Sequence, residues 1–270
     1  REWTTQTKKR FPHSMHDRIF HRNHFKTFIK MVQHLDNILI IFDESHIARE
    51  MAESMQADQE VIHLKADDLY GENFTNTVWH AERSFYNTLG VAKNLMSRRV
   101  HECGYKTVIT GEGSDELFAG YPSFKRDMIL HGLDSEPDEV RLQYQTQMQQ
   151  SNQLFTGSIL SENPESHPAF ETLCGFTPSW IQPWIATLRH ARVLMHPDLA
   201  ELRDYDPIQA IADEIRPEAV KDRHPVDRAQ YTWSKTQLEG QILSWGGDRV
   251  DMANSMESRP AFLDHHLAEL

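Results

Sequence analysis

The chain has 270 residues, of which 39% are hydrophobic and 25% are charged, and this length suits one large domain or two small ones. Its longest apolar run, residues 38–42, is far shorter than the roughly 20 residues that a transmembrane helix needs, and we expect no secretory signal. The net charge of −12 argues against binding to nucleic acid or to an anionic membrane. Two cysteines exclude a disulfide framework and favour a cytoplasmic location.

Residues 1–35 differ in composition from the rest of the chain. They carry an excess of basic residues and several histidines but no sustained apolar stripe. We expect a mobile, solvated segment without a metal site, because no cysteine or carboxylate lies at ligand spacing from the histidines. The sequence opens at Arg1 and stops at Leu270 in what resembles the start of a helix, so we expect a fragment of a longer protein.

Short apolar runs alternate with helical patterns in the first half of the sequence. The predicted strands are residues 37–42, 60–64 and 105–110. Apolar residues at helical spacing predict helices between them, over residues 47–55, 69–78 and 89–103. This alternation predicts parallel β-α units, hence an α/β fold with a doubly wound sheet over residues 36–122.

No strand is predicted after Tyr121, and residues 123–270 are expected to form a helical part. Helices are predicted over residues 180–195, 208–215 and 226–245 from their apolar spacing. Seven prolines are expected to lie between helices rather than inside them: Pro164, Pro168, Pro178, Pro197, Pro207, Pro217 and Pro225.

The stretch T-G-E-G-S-D-E-L-F-A-G-Y, residues 110–121, directly follows the third predicted strand. Its first two glycines allow a ligand to approach the main chain, and the start of the following helix favours a phosphate. Three carboxylates suit Mg²⁺ that is held by one or two carboxylates and nucleotide phosphates: Glu112, Asp115 and Glu116. The same pattern also fits a glycine turn with an acidic first helical turn, which complements the helix dipole.

A second stretch, residues 247–264, combines apolar anchors with dense charge. Met252 and Met256 stand four residues apart, which predicts a helix with one buried face that Pro260 ends. Buried charges need partners, so the charged residues of this stretch are expected to line a cleft or to pair with one another: Asp248, Arg249, Glu257, Arg259 and Asp264.

Together the two stretches resemble the asparagine synthetase family. The first matches the family's G-E-G-S-D-E-L-F-x-G-Y without a mismatch, and the second matches D-R-x-x-M-A-x-S-x-E-x-R-x-P-F-L-D except that Ala261 replaces a proline. A weaker likeness to F-D-E-S-x-x-A-R begins at Phe42. The resemblance covers about residues 41–270.

The resemblance implies a Rossmann-like parallel sheet of the adenine-nucleotide α-hydrolase type with a largely helical second half. It implies that MgATP adenylates the side-chain carboxylate of aspartate and that ammonia from glutamine attacks the adenylate. By their positions in the motif, Glu112 assists proton removal from ammonia and Asp115 binds Mg²⁺. The nucleotide contacts implied in the same way are Thr110, Gly111, Gly113 and Ser114.

The sequence also departs from the family pattern. The pyrophosphate loop S-G-G-x-D-S should precede Phe42, yet residues 1–41 contain no glycine, and the glutaminase domain is expected only in the parent protein. Two alternatives stay open, a non-catalytic domain of the same fold that binds a nucleotide or a partner, and a relative that makes another amide or a lactam. Because glycines flank Glu112, we expect its carboxylate to have little structural role.

Overall fold

The structure is a computed structural model that describes residues 39–40, 52–54, 57, 59–133, 136–154 and 164–269. It is mostly helical, with a small parallel sheet of three strands in the order β1-β2-β3, so the predicted α/β class is confirmed. The basic segment 1–35 and most of the predicted helix 47–55 lie outside the described residues; residues 52–54 of that helix are helical. No described helix is long and apolar enough to cross a bilayer.

The sheet brings together three strands from distant parts of the sequence, β1 (Leu39–Ile40), β2 (Thr107–Thr110) and β3 (Glu257–Pro260). β2 is central and pairs in parallel with both neighbours. Its final residue, Thr110, is in register with Pro260 at the end of β3. The chain therefore leaves both strands at the same edge of the sheet.

β3 corrects the expectation that no strand follows Tyr121, and it also corrects the helix predicted up to Pro260. The helix ends at Met252, Ser255 takes a positive φ of 55°, and the chain continues as an extended strand. Met256 is 1% exposed whereas Met252 is 57% exposed, so the two methionines do not share a buried face. A strand of Glu, Ser, Arg and Pro has none of the β-branched or aromatic residues that typify strands.

The predicted strand 60–64 is wrong. This segment makes no strand pairing with the described part of the chain, and its apolar side chains Val61, Ile62 and Leu64 are exposed. Glu60 instead forms an ion pair of 2.7 Å with Arg99. An apolar run can predict an extended conformation, but it does not supply a neighbouring strand with which to pair.

The longer predicted helices are confirmed with small shifts of their ends. In chain order the α-helices are α1 (Gly71–Ala81), α2 (Leu89–Glu102), α3 (Ser114–Phe118), α4 (Pro122–His131), α5 (Asp138–Leu154), α6 (Pro168–Cys174), α7 (Gln182–Leu194), α8 (Ala200–Asp204), α9 (Pro207–Asp213), α10 (Pro217–Val220), α11 (Pro225–Trp233), α12 (Arg249–Met252) and α13 (His265–Ala268). Short 3₁₀ helices cover Ala66–Leu69, Pro197–Leu199 and Ala261–Leu263.

Prolines begin several of these helices instead of lying wholly between them. A proline at the first helical position loses no hydrogen bond, because that N–H has no partner within the helix, and its fixed φ suits the helix. The helices that begin with a proline are α4, α6, α9, α10 and α11. Prolines therefore mark the points at which new helices begin, and the breaks between helices lie near them, as the sequence indicates.

The segment predicted as one long helix, 226–245, is an α-helix that is followed by a π-helix. After α11 the chain continues as a π-helix over Ser234–Asp248, a wider turn that is rare in proteins. A Cβ atom at Gly246 would lie 2.7 Å from the carbonyl oxygen of Gln241, and one at Gly247 would lie 2.4 Å from that of Ile242. Glycine is therefore required at both positions in this backbone path.

The chain divides into two compact units. The first comprises the described residues up to Ser114 and the described residues from Glu239 onward, and it contains the sheet. Behind the sheet, Val100 of α2 packs with Val108 of β2 and with Met256. A second apolar cluster of this unit forms around Trp245, whose ring stacks on Phe85 at a centroid distance of 4.7 Å.

The second unit, residues 115–238, is helical and has a larger apolar core. Trp180 and Trp233 meet edge to face at 5.7 Å, a geometry that aromatic rings prefer. The fully buried members of this core are Phe124, Phe170, Cys174, Ile181 and Ala229.

Asp127 is a fully buried carboxylate within the second unit. Ser179 donates its backbone N–H, at 3.0 and 3.1 Å, and its hydroxyl, at 2.5 Å, to the Asp127 carboxylate. These bonds fix the segment that precedes α7. Burial raises the pKa of Asp127 to about 7, although the bonds from Ser179 and the nearby Arg126 oppose the increase.

This raised pKa predicts a pH dependence of stability. Between pH 3.8, the ordinary pKa of the group, and about 7, the folded chain holds a proton at Asp127 that the unfolded chain has lost. The contribution of Asp127 to the free energy of unfolding is therefore fully present below pH 3.8 and is lost as the pH rises to about 7, by at most about 1.4 kcal/mol per pH unit. Asp127→Asn should remove this dependence, as measured by urea unfolding across that range.

Asp138→Asn is the matched control, because the Asp138 side chain is 99% exposed. Its stability difference from the unmodified protein should not vary over this pH range as the Asp127→Asn difference does. Parallel pH curves for Asp127→Asn and the unmodified protein would contradict the raised pKa.

Candidate active site

The glycine-rich stretch forms a tight loop between the central strand and a helix, as predicted. β2 ends at Thr110, α3 begins at Ser114, and the N–H of Ser114 donates to the Gly111 carbonyl oxygen at 3.2 Å. Gly113 has a φ of +95°, and a Cβ atom there would lie 2.3 Å from the Leu263 side chain. Gly113 therefore allows the loop after β2 to pass close to the turn after β3.

Glu112, at the centre of this loop, lies beside a buried lysine. The Lys93 ammonium of α2 is 2.9 Å from Glu112 Oε1 and 3.5 Å from Asp251 Oδ2. The exposed fractions of the three side chains are only 11% for Lys93, 21% for Glu112 and 3% for Asp251. Two carboxylates thus share one ammonium in a largely buried cluster.

Asp251 has a second partner, since it accepts a hydrogen bond from the Ser258 hydroxyl of β3. The cluster therefore connects four segments of the first unit, namely α2, the loop after β2, the short helix α12 and strand β3. Because a buried ion needs both a counter-ion and hydrogen bonds, each of these contacts contributes to holding the Lys93 ammonium in place.

The two carboxylates of the cluster have opposite pKa shifts. Burial is the largest effect on Glu112 and raises its pKa, but the charge of Lys93 together with hydrogen bonds from Thr110, Lys93 and the backbone brings the net pKa below the ordinary value. For Asp251, burial is the largest effect and the net pKa is raised despite Lys93 and Ser258. Burial lowers the pKa of Lys93, but Glu112 and Asp251 raise it above its usual value. The ammonium and the Glu112 carboxylate are thus both charged at neutral pH.

This ion pair corrects the expectation that the Glu112 carboxylate has little structural role. Its other oxygen, Oε2, is buried, as is Thr110 Oγ1 at the end of β2, and the Thr110 hydroxyl interacts with the Glu112 carboxylate. A buried hydroxyl and a carboxylate at the carboxyl end of a parallel strand suit a polar ligand.

The other two carboxylates of the motif have different surroundings. Asp115 is exposed in the first turn of α3, and its Oδ1 lies so close to Gly120 that a Cβ atom there would be 1.8 Å away. Glu116 is buried and accepts hydrogen bonds from the Tyr121 hydroxyl at 2.9 Å and from Trp233 Nε1 at 3.1 Å. Glu116 thus stabilises the second unit, and Asp115 is the carboxylate that suits a solvated cation.

The charged residues predicted from the second stretch are mostly surface or structural groups. Asp248 is exposed. Arg249 donates to the Ala81 carbonyl oxygen at 2.7 Å, Glu257 and Arg259 pair with each other at 2.8 Å in an exposed contact, and Asp264 caps α13 by accepting the N–H of His266. The residues that the structure describes do not bring these five side chains together in one cluster.

Two residues of the buried cluster, Lys93 and Asp251, are absent from the sequence-based prediction. Signals for both exist in the sequence. Lys93 is the single charged residue of the helical stretch 89–97, and Asp251 stands between Val250 and Met252. A charged residue in an apolar context needs a partner, but the sequence alone does not show that these two residues meet.

Among the described residues, one set of three side chains could hold a metal ion, namely Asp264, His265 and His266. All three side chains are exposed, and Asp264 already accepts the N–H of His266 at 2.9 Å as the cap of α13. None of the three belongs to the motif at residues 110–121 for which the sequence predicts Mg²⁺.

A buried lysine–carboxylate cluster beside a glycine loop, at the carboxyl end of a parallel strand, is typical of a ligand-binding site in an α/β class of protein. Comparison with known families narrows this class. The asparagine synthase family profile matches residues 34–270, and the chain belongs to that family.

Curated relatives differ in their described activities. The chain is 32% identical to the amidase chyE of Penicillium rubens and 31% identical to the amidase chry2 of Gibberella zeae, in each case over 84% of this chain and 34% of the relative. It is 26% identical to a putative glutamine-hydrolysing asparagine synthetase of Mycobacterium tuberculosis, over 83% of this chain and 32% of the relative. The chain thus spans about a third of the length of these relatives. No solved structure matches.

The two loop glycines predict different effects of substitution. Gly113→Ala should lower the free energy of unfolding by about 2 kcal/mol, because alanine resists a positive φ and its Cβ would overlap Leu263. Gly111→Ala should change it by less than about 0.5 kcal/mol, because a Cβ there meets nothing within 4 Å. Urea unfolding of both variants measures the difference, and equal stabilities would contradict the close approach of the loop to Leu263.

Proposed function

We propose that the chain takes part in ATP-dependent amide formation of the asparagine synthase type, with Glu112 as the group that accepts a proton from the attacking nitrogen. The observation that carries this proposal is the ionised Glu112 carboxylate, held on a loop at the end of the central parallel strand and paired at 2.9 Å with the buried Lys93. We also infer that the sheet is of the adenine-nucleotide α-hydrolase type.

The proposed reaction has two steps. An oxygen of the substrate carboxylate attacks the α-phosphorus of ATP, and pyrophosphate leaves with the electrons of the broken P–O bond. The nitrogen of ammonia then attacks the acyl carbon, the bond from that carbon to the AMP oxygen breaks, and the nitrogen loses a proton. Glu112 suits the role of proton acceptor because its lowered pKa keeps it ionised at neutral pH.

The nucleotide is proposed to contact Thr110, Gly111, Gly113 and Ser114. Gly111 supports this assignment because the space around its Cα is open, so that a ligand can reach the main chain there. The Thr110 hydroxyl supports it because it is buried at the end of β2, beside the Glu112 carboxylate.

Mg²⁺ fits Asp115 better than the other carboxylates of the motif. Asp115 is exposed to solvent, whereas the Glu112 side chain is only 21% exposed and Glu116 is buried. Mg²⁺ in nucleotide sites is held by one or two carboxylates together with substrate phosphates. Bound there, the cation would offset the negative charge of the leaving pyrophosphate.

The acyl substrate is a separate question, and a second candidate has specific support. The two relatives named amidases are 31–32% identical to the chain, whereas matching bacterial asparagine synthetases of Mycobacterium tuberculosis and Bacillus subtilis are 22–26% identical over a similar share of it. We therefore propose a carboxylate other than aspartate as the alternative substrate. Ammonia from glutamine and a cytoplasmic location complete the proposal by likeness to the glutamine-hydrolysing relatives.

Glu112→Gln tests the proposed proton acceptor. The protein, expressed from its complete reading frame, is assayed for AMP release with ATP, Mg²⁺, ammonium and a panel of carboxylates that includes aspartate. The variant should lose about 100-fold or more in rate while it binds ATP with little change, because an amide cannot accept the proton. Asp115→Asn should instead raise the Mg²⁺ concentration needed for half-maximal rate.

Glu257→Gln is the matched control, since Glu257 is an exposed glutamate whose described partner is Arg259. It should keep both its rate and its melting temperature. Near-normal turnover of Glu112→Gln would remove Glu112 from the chemistry. ATP binding by the unmodified protein without AMP release for any carboxylate would favour the non-catalytic alternative.

A further inference from the structure

Lys93 occupies an unusual place for a lysine. Its side chain is 11% exposed, although the ammonium is strongly hydrated in water and its burial is costly. Lys93 has two carboxylate partners, Glu112 and Asp251, on segments that are distant in sequence. Because burial of the ammonium is costly, its presence here indicates that the charge has a role inside the unit.

Hydrogen bonds around the next residue fix the helix that carries Lys93. The Asn254 side-chain amide donates to Asn94 Oδ1 at 2.6 Å and to the Val250 carbonyl oxygen at 3.1 Å. The Asn94 side chain in turn donates to the Thr77 hydroxyl at 2.9 Å. These bonds join α2 to α1 and to the turn after α12, so the Lys93 backbone has little freedom to move relative to Asp251.

Asp251 is also held on its far side. It accepts the Ser258 hydroxyl, so one carboxylate of the cluster is anchored to the sheet and keeps the ammonium in place. Glu112, in contrast, extends from a loop between two glycines. Its one described side-chain ion pair is with Lys93. The loop carboxylate therefore depends on Lys93 more than Lys93 depends on the loop.

We propose that Lys93 is the positioning residue for Glu112. Its ammonium, which also pairs with Asp251, keeps the Glu112 carboxylate ionised and in one orientation. This inference rests on the proposed role of Glu112. Lys93 is not a catalytic residue in this scheme, because it acts through Glu112 and not on the substrate.

The charges around Glu112 lead to specific predictions for its pKa. The titratable groups that face one another in the described structure are Lys93 from α2, Glu112 from the loop and Asp251 from α12, with hydroxyl groups from Thr110 and Ser258 beside them. Without Lys93 the two carboxylates would repel each other, and the pKa of Glu112 should rise. The Asp251 charge contributes little to the pKa of Glu112, so its removal should change the Glu112 titration much less than removal of Lys93.

The experiment measures the titration of Glu112 directly. The protein from the complete reading frame is labelled with ¹³C at glutamate Cδ, and the Glu112 signal is assigned by its loss in Glu112→Gln. Lys93→Met should raise the pKa of Glu112 by about one unit or more, and Lys93→Arg should largely restore it. Asp251→Asn should change it much less than Lys93→Met does. Lys93→Gln provides a second test if Lys93→Met does not fold.

Activity provides the second readout. The acidic limb of the pH profile of kcat/KM should move to higher pH in Lys93→Met and return toward its original pH in Lys93→Arg. Lys106→Met is the matched control, because Lys106 is exposed in the same unit, and it should change neither the titration nor the profile.

The outcomes separate this inference from the proposed function. An unchanged Glu112 titration in the folded Lys93 variant, or a shift in Asp251→Asn as large as that in the Lys93 variant, would overturn the positioning role even if Glu112→Gln abolishes turnover. A raised Glu112 pKa in the Lys93 variant together with near-normal turnover of Glu112→Gln would support the control of Glu112 by Lys93 and refute the proposed chemistry.

Discussion

The candidate site depends on the burial of one ammonium between two carboxylates. Lys93 lies 2.9 Å from Glu112 and 3.5 Å from Asp251, and the three side chains come from a helix, a loop and a second short helix near the end of the chain. Burial of an ammonium is unfavourable unless opposite charges and hydrogen bonds compensate it. The path of the loop after β2 and the position of α12 are therefore coupled, because displacement of either would leave a charge buried without a partner.

The same physical constraint has another outcome in the second unit. Asp127 is buried with hydrogen bonds from Ser179 and the nearby charge of Arg126, yet burial outweighs both and raises its pKa to about 7. Glu112 is less completely buried and has a direct ammonium partner, so its pKa is lowered. The comparison shows why a nearby lysine, and not burial alone, keeps a carboxylate ionised at neutral pH.

Membership of the asparagine synthase family bears on the type of reaction but not on the choice of acyl substrate. The family match covers residues 34–270 and is one basis of the proposed ATP-dependent chemistry at the glycine loop. The choice of acyl substrate depends on side chains that contact the substrate, and neither signature motif determines these. Relatives named amidases and relatives named asparagine synthetases are both found among those that match this chain.

The sequence by itself determined the local structure around the site. The strand-loop-helix order at Thr110–Ser114 could be predicted, and so could the helix over residues 89–103, which is followed by Gly104. Both depend on glycine conformations and apolar periodicity within a few residues. Glu112 could also be identified, since it lies within a contiguous motif. Such features need no information about distant parts of the chain.

Only the tertiary structure decided which distant residues meet. β3 is a strand because β2 offers it a partner, although Glu257–Pro260 has little intrinsic preference for a strand; residues 60–64 have that preference but no partner among the described residues. Lys93 and Asp251 are separated by 157 intervening residues, and no local pattern predicts that they share a charge with Glu112. Strand pairing and ion pairing act between groups that are close in space, whereas sequence periodicity describes only neighbours along the chain.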